Sequence, residues 1–124
     1  MRKSGRSYVP ERGDVVWLHF DPQTGHEQAG RRPALVLSPQ IYNRSSNIAV
    51  LCPITSKSKG YPYEVAIPAG LAVRGIILAD QMKSLDWKQR QAAYLCAMPF
   101  DVLEDVFEKL LTLIDPLEAE ENGA

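Results

Sequence analysis

The stretch from Asp14 to Pro39, DVVWLHFDPQTGHEQAGRRPALVLSP, decides the fold. Residues 14–20 are rich in β-branched and aromatic side chains and read as a strand. Residues 21–32 have no period, two glycines and a proline, and read as a loop. Residues 33–39 return to a short apolar strand. The pattern repeats outward. NIAVLCPI (47–54) and YEVAIP (63–68) read as strands, GIILADQMKSL (75–85) as one strand running into a second, and RQAAYLCAM (90–98) as the last. QIYNRSS (40–46) is a polar connector with room for one helical turn, and TSKSKGYP (55–62) is a loop. No crossover helices separate the strands, which argues against a parallel sheet.

After Pro99 the period changes. Val102, Leu103, Val106, Phe107, Leu110, Leu111 and Ile114 fall on one face of a helix. Pro99 suits the first helical position, Asp101, Glu104 and Asp105 suit the positive end of the dipole, and Pro116 stops the helix. The expected fold is α+β and mainly β: a small antiparallel barrel with a C-terminal helix packed outside it. We expect one domain over 1–124, with a flexible basic arm at 1–12 and a frayed acidic tail at 115–124.

The chain has 124 residues, 45% apolar and 23% charged, which is enough for one hydrophobic core without disulfide or metal staples. No apolar run approaches the ~20 residues needed to span a bilayer, and the basic N-terminus has no apolar stretch behind it. A cytoplasmic protein with no membrane contact is expected. Cys52 and Cys96 each lie in an apolar stretch and read as buried thiols. With two histidines, His19 and His26, there is no zinc-like cluster, and neither a metal nor a cofactor is expected. The net charge is −1, but it is unevenly spread: residues 1–99 hold 13 Lys/Arg against 7 Asp/Glu, and residues 100–124 hold 1 against 8. That asymmetry fits a polyanion-binding body, and equally a terminal helix solvated by its acids.

Two loops carry candidate chemistry. Gly25–Pro33 holds His26, Glu27, Gln28, Arg31 and Arg32 and leads straight into a buried strand. An arginine fork matches phosphate oxygens, and Pro33 fixes the backbone beside Arg32. The second loop supplies Thr55, Ser56, Lys57, Lys59 and Tyr61, hydroxyls and ammonium groups suited to phosphate and sugar, with a ring able to stack on a base. A third polar cluster follows at Asp80, Gln81 and Lys83. Taken alone, each loop reads more readily as a solvated basic loop or hairpin. His19 reads as a structural or surface residue.

Together these stretches resemble the MazF/PemK family of toxin ribonucleases. The resemblance runs from Tyr8-Val9-Pro10 to about Ile114. It is carried by RGDVVWLHFDPQTGHEQAGRRPALVLSPQIYN (12–43), PITSKSKGYPYEV (53–65) and ADQMKSL (79–85). It implies an SH3-like barrel of the CcdB/PemK type, a homodimer, and metal-independent cleavage of single-stranded messenger RNA at short sequences. It also implies a cognate antitoxin whose acidic C-terminal segment lies over the RNA groove. The family's active-site arginine falls on Arg32, its threonine on Thr55, its loop glutamate on Glu27 and its loop lysine on Lys59. One branch adds a histidine, here His26, and an arginine–aspartate pair. The aspartate matches Asp80, but the arginine position holds Leu78, so that branch's acid–base assignment does not transfer whole. Gln28, Arg31, Ser56, Lys57, Tyr61, Gln81 and Lys83 are further RNA-contact candidates.

Without metal, the direct route is attack by the RNA's own 2′-hydroxyl. The protein then supplies charge stabilisation, a base and an acid. Arg32 and Thr55 take the first role, and Glu27 and His26 are the base candidates. Arginine is a poor base because its pKa exceeds about 12. The alternative is a toxin of the same fold that acts by binding DNA gyrase, as CcdB does, rather than by cutting RNA.

Overall fold

The computed structural model describes residues 7–21 and 30–117. The chain runs β1 (Asp14–His19), β2 (Arg31–Val36), α1 (Gln40–Ser46), β3 (Ile48–Thr55), β4 (Glu64–Ala66), β5 (Ile76–Leu78), a 3-10 turn (Ala79–Gln81), β6 (Lys83–Asp86), β7 (Ala93–Ala97) and α2 (Phe100–Ile114). The strands form one antiparallel sheet in the order β4-β5-β3-β2-β1-β7, with β6 also pairing with β3. β3 is central. One edge meets β2, and the other meets β6 along Ile48–Leu51 and β5 along Ile54–Thr55. The expected barrel differs in closure: among the described residues β4 and β7 do not pair with each other, so the sheet is open.

Alternation along each strand divides the core between two faces. Val15, Leu35, Cys52 and Ile77 lie on the face that packs against Val102, Leu103, Val106 and Leu110 of α2. Val16, Leu18, Ala34, Val36 and Leu51 lie on the other, with Tyr8 and Trp87. Each fully buried aliphatic side chain of this kind contributes about 1.5–3 kcal/mol. The predicted helical stripe is only partly covered, since Leu111 and Ile114 remain exposed. Pro99 is the N-cap residue rather than the first residue of α2.

Part of the span 1–12 expected to be a flexible arm is packed, from Tyr8 onward. Tyr8 and Pro10 are buried, and the Tyr8 hydroxyl donates to Asp14 Oδ2 at 2.7 Å. Burial and that carboxylate both push the Tyr8 pKa up. Residues 40–46, read as a polar connector with room for one helical turn, form a seven-residue helix. It is organised by Asn43, which is fully buried. Asn43 Nδ2 donates to the carbonyls of Pro10 (2.8 Å) and Ser38 (3.1 Å), and Asn43 Oδ1 accepts from the Ser38 hydroxyl at 2.6 Å. The Trp87 indole N–H closes the network on the Asn43 carbonyl at 2.9 Å. The segment 75–85 is two short strands joined by the 3-10 turn. Cys52 is buried as expected, whereas Cys96 is half-buried.

Candidate functional site

The site begins where a β-ladder stops. β2 and β3 pair at Val36↔Leu51, Leu35↔Cys52 and Ala34↔Pro53, and no further. Pro33 and Pro53 stand at that end, and neither has an N–H to donate. β2 nevertheless stays paired with β1 out to His19↔Arg31, and β3 stays paired with β5 through Thr55↔Ile76. The two strands therefore continue side by side without bonding each other. Carried two residues on, their register sets Arg32 opposite Thr55, on the sheet face away from α2. Lys83, paired with Leu51, lies on the same face.

These residues border a cleft of about 500 Å³. Among the described residues its lining includes four cations, Arg31, Arg32, Arg74 and Lys83, and no acid. Thr55, Ser56 and Gln81 add polar groups, and Trp17, Phe20 and Leu78 add apolar walls. Arg32 is exposed and has no ion-pair partner among the described residues. The Arg31 guanidinium lies 5.4 Å from the centre of the Trp17 ring, a cation–π stack, and its buried Nε has no hydrogen-bond partner. The Thr55 Oγ1 accepts the Lys57 N–H at 3.2 Å, which leaves the hydroxyl proton free to donate into the cleft.

Two features hold Thr55 in place. Gly75 has φ +125°, and a Cβ there would stand 2.2 Å from the Thr55 carbonyl oxygen, so only glycine fits against this stretch of β3. Glu64 fixes the loop that follows. Its carboxylate accepts the Lys59 N–H (3.0 Å), the Ser58 hydroxyl (2.7 Å) and the Gly60 N–H (3.3 Å). The Lys59 N–H and then the Ser58 hydroxyl hold that carboxyl below its usual pKa.

Of the residues predicted for the site, Arg31, Arg32, Thr55, Ser56, Gln81 and Lys83 meet in the cleft. Lys57, Lys59 and Tyr61 lie exposed on the adjoining loop, and Asp80 lies exposed on the 3-10 turn; none of these lines the cleft. His26, Glu27 and Gln28 lie outside the described residues. His19 is buried, as a structural residue, opposite Arg31. Arg74, Trp17, Phe20 and Glu64 were not among the residues singled out in the sequence, and Leu78 was named there only as the position that lacks one branch's arginine. Gly75 was the available signal for Arg74: a glycine directly before an apolar strand marks a close backbone approach. Among the described residues no three His, Cys, Asp or Glu side chains converge as metal ligands, and no helix is long and apolar enough to cross a membrane.

Fold and site together define a small, mainly β protein that presents an arginine–threonine pair in a cationic cleft suited to a phosphodiester strand. The chain belongs to the PemK-like, MazF-like toxin family of type II toxin–antitoxin systems, whose profile matches residues 11–114. It is 44% identical over 107 residues to the endoribonuclease toxin MazF of Escherichia coli strain K12, covering 86% of this chain and 96% of that protein. It is similar to the crystal structure of MazF from Deinococcus radiodurans (TM-score 0.79, 54% identity, 88% of this chain and 99% of that one). A MazE–MazF structure from the same organism matches with TM-score 0.79 and 49% identity, over 87% of this chain and 97% of that one.

Proposed function

We propose that this chain is a sequence-specific endoribonuclease toxin that cuts single-stranded messenger RNA without metal, arrests translation and growth, and is neutralised by a cognate antitoxin. The observation that carries this reading is the placement of Arg32 and Thr55 on facing strands at the end of the β2–β3 ladder, in a cleft whose described lining holds four cations and no acid.

The substrate's 2′-hydroxyl attacks the adjacent phosphorus and gives its proton to a base. The bond from phosphorus to the 5′-oxygen breaks, and that oxygen takes a proton from an acid. The products are a 2′,3′-cyclic phosphate, or its hydrolysed 3′-phosphate, and a 5′-hydroxyl. Arg32 holds the charge that builds on the non-bridging oxygens, and the Thr55 hydroxyl donates to one of them. Preorganised donors of this kind are aimed at charge that appears only in the transition state. Glu27 and His26 are the base candidates. Gln28, Arg31, Ser56, Lys57, Lys59, Tyr61, Asp80, Gln81 and Lys83 serve RNA binding and sequence choice.

The chain acts as a single cytoplasmic domain and forms a homodimer whose RNA groove spans both subunits. The exposed Leu111 and Ile114 give a second copy an apolar surface to cover. The antitoxin's acidic C-terminal segment occupies the same cationic cleft by copying RNA charge. The reading as a gyrase-binding toxin is not favoured, because the curated relatives at 30–44% identity are named endoribonucleases.

The direct test incubates purified protein with single-stranded RNA, with and without EDTA. Cleavage to 5′-hydroxyl ends in both conditions is expected. RNA left intact, or activity lost to EDTA, would contradict the proposal.

A further inference from the structure

Arg74 is the cleft cation that no motif accounts for. It lies in the connection between β4 and β5, is exposed, and has no hydrogen bond or ion pair among the described residues. Its position is nevertheless fixed. The next residue, Gly75, is pressed against the Thr55 carbonyl, with its Cβ position 2.2 Å from that oxygen and 3.1 Å from the carbonyl carbon. The Gly75 carbonyl accepts the Ile67 N–H at 3.0 Å, and Ile76 then pairs with Thr55. The chain is thus anchored on both sides of Gly75, and Arg74 enters the cleft beside Thr55, while Arg32 enters from the facing strand.

We infer that Arg74 is a substrate-binding residue that holds a backbone phosphate of the RNA strand next to the scissile one, on the Thr55 side of the cleft. This deepens the ribonuclease reading above and rests on it. An unpaired guanidinium offers a planar donor fork to phosphate oxygens. In a cleft whose described lining holds no competing carboxylate, a polyanion is the partner that satisfies it. Arg32 faces the reacting group, whereas Arg74 precedes the glycine that supports Thr55, so its contact is the same in ground and transition states. Such a contact lowers KM without raising kcat.

The test follows cleavage of a fluorogenic single-stranded RNA oligonucleotide spanning a cut site mapped with the wild-type protein, across a salt series. Arg74→Ala should raise KM roughly five- to tenfold and leave kcat within about twofold. The slope of log(kcat/KM) against log[salt] should become shallower by about 0.7, the value for one phosphate contact on a single strand. Arg74→Lys should keep most of that slope, and Arg74→Glu should raise KM further. Lys88→Ala, a cation away from this cleft, should match wild type. A wild-type KM and slope in Arg74→Ala, or a loss confined to kcat, overturns the assignment if Arg32→Ala is inactive in the same assay. If Arg32→Ala also cuts like wild type, the cleft reading itself is overturned.

Discussion

Arg32 and Thr55 stand opposite each other at a level where the ladder between their strands has ended. The last paired residues are Ala34 and Pro53, and the shared register runs on past them. Each strand is held from its far side, β2 by β1 and β3 by β5. The arginine and the threonine are therefore fixed relative to one another by paired backbone while the space between them stays open. This leaves an opening in the sheet that an arginine and a threonine face from neighbouring strands.

The pair makes the first prediction. Arg32→Ala and Thr55→Ala should each lose roughly 10²–10³ in cleavage rate, the usual effect of removing one preorganised donor. Neither side chain is in the core, so thermal unfolding should change by no more than about 0.5 kcal/mol. Cleavage assays beside melting curves check both halves, and an unstable variant would undercut the assignment.

Gly75→Ala tests the support of Thr55. The added methyl meets the Thr55 carbonyl, and the φ of +125° is itself unfavourable for alanine. We expect a loss of about 1–3 kcal/mol in stability. Cleavage per folded molecule should also fall, because Thr55 must shift. Full activity in the folded fraction would show that Gly75 matters for folding alone.

Asn43→Ala should separate fold from chemistry. It strips partners from the Pro10 and Ser38 carbonyls and from the Ser38 hydroxyl, all far from the cleft. A buried group left unpaired costs about 1–3 kcal/mol. Denaturant titration should show that loss, with activity per folded molecule unchanged.

Alkaline pH provides a further check. Burial, then the charge of Asp80, pushes the Cys52 thiol up to about 12. In the unfolded chain a cysteine ionises near 8.5. Above that pH the unfolded state releases a proton that the folded state keeps, so stability is present below about 8.5 and is lost as pH rises towards 12. The raised Tyr8 acts in the same direction. Denaturation midpoints measured from pH 8 to 11 should fall, and Cys52→Ala should make the fall shallower. An equal slope in both proteins would exclude Cys52 as a source.

The strands were legible because runs such as DVVWLHF and NIAVLCPI are short, apolar and rich in β-branched or aromatic side chains, and α2 because its apolar spacing is helical. Arg32 and Thr55 were singled out by their sequence frames, and the fold brings both to the same cleft. The opening of the barrel was not, since closure depends on which edges meet after folding. Nor was α1: QIYNRSS has no apolar stripe, and its organiser is a buried asparagine amide whose partners, Pro10 and Trp87, lie far off in sequence. Arg74 was invisible for the same kind of reason. Within LAVRGII only Gly75 hints at a close backbone approach, and it is the pairing of β5 with β3 that carries Arg74 to Thr55.

In the proposed reaction the nucleophile is the RNA's own 2′-hydroxyl. Its most direct test replaces the nucleotide 5′ of the scissile phosphate with its 2′-deoxy form in an RNA that the protein cuts. Cleavage at that bond should stop while cutting at other sites continues. Continued cutting at the substituted bond would contradict it.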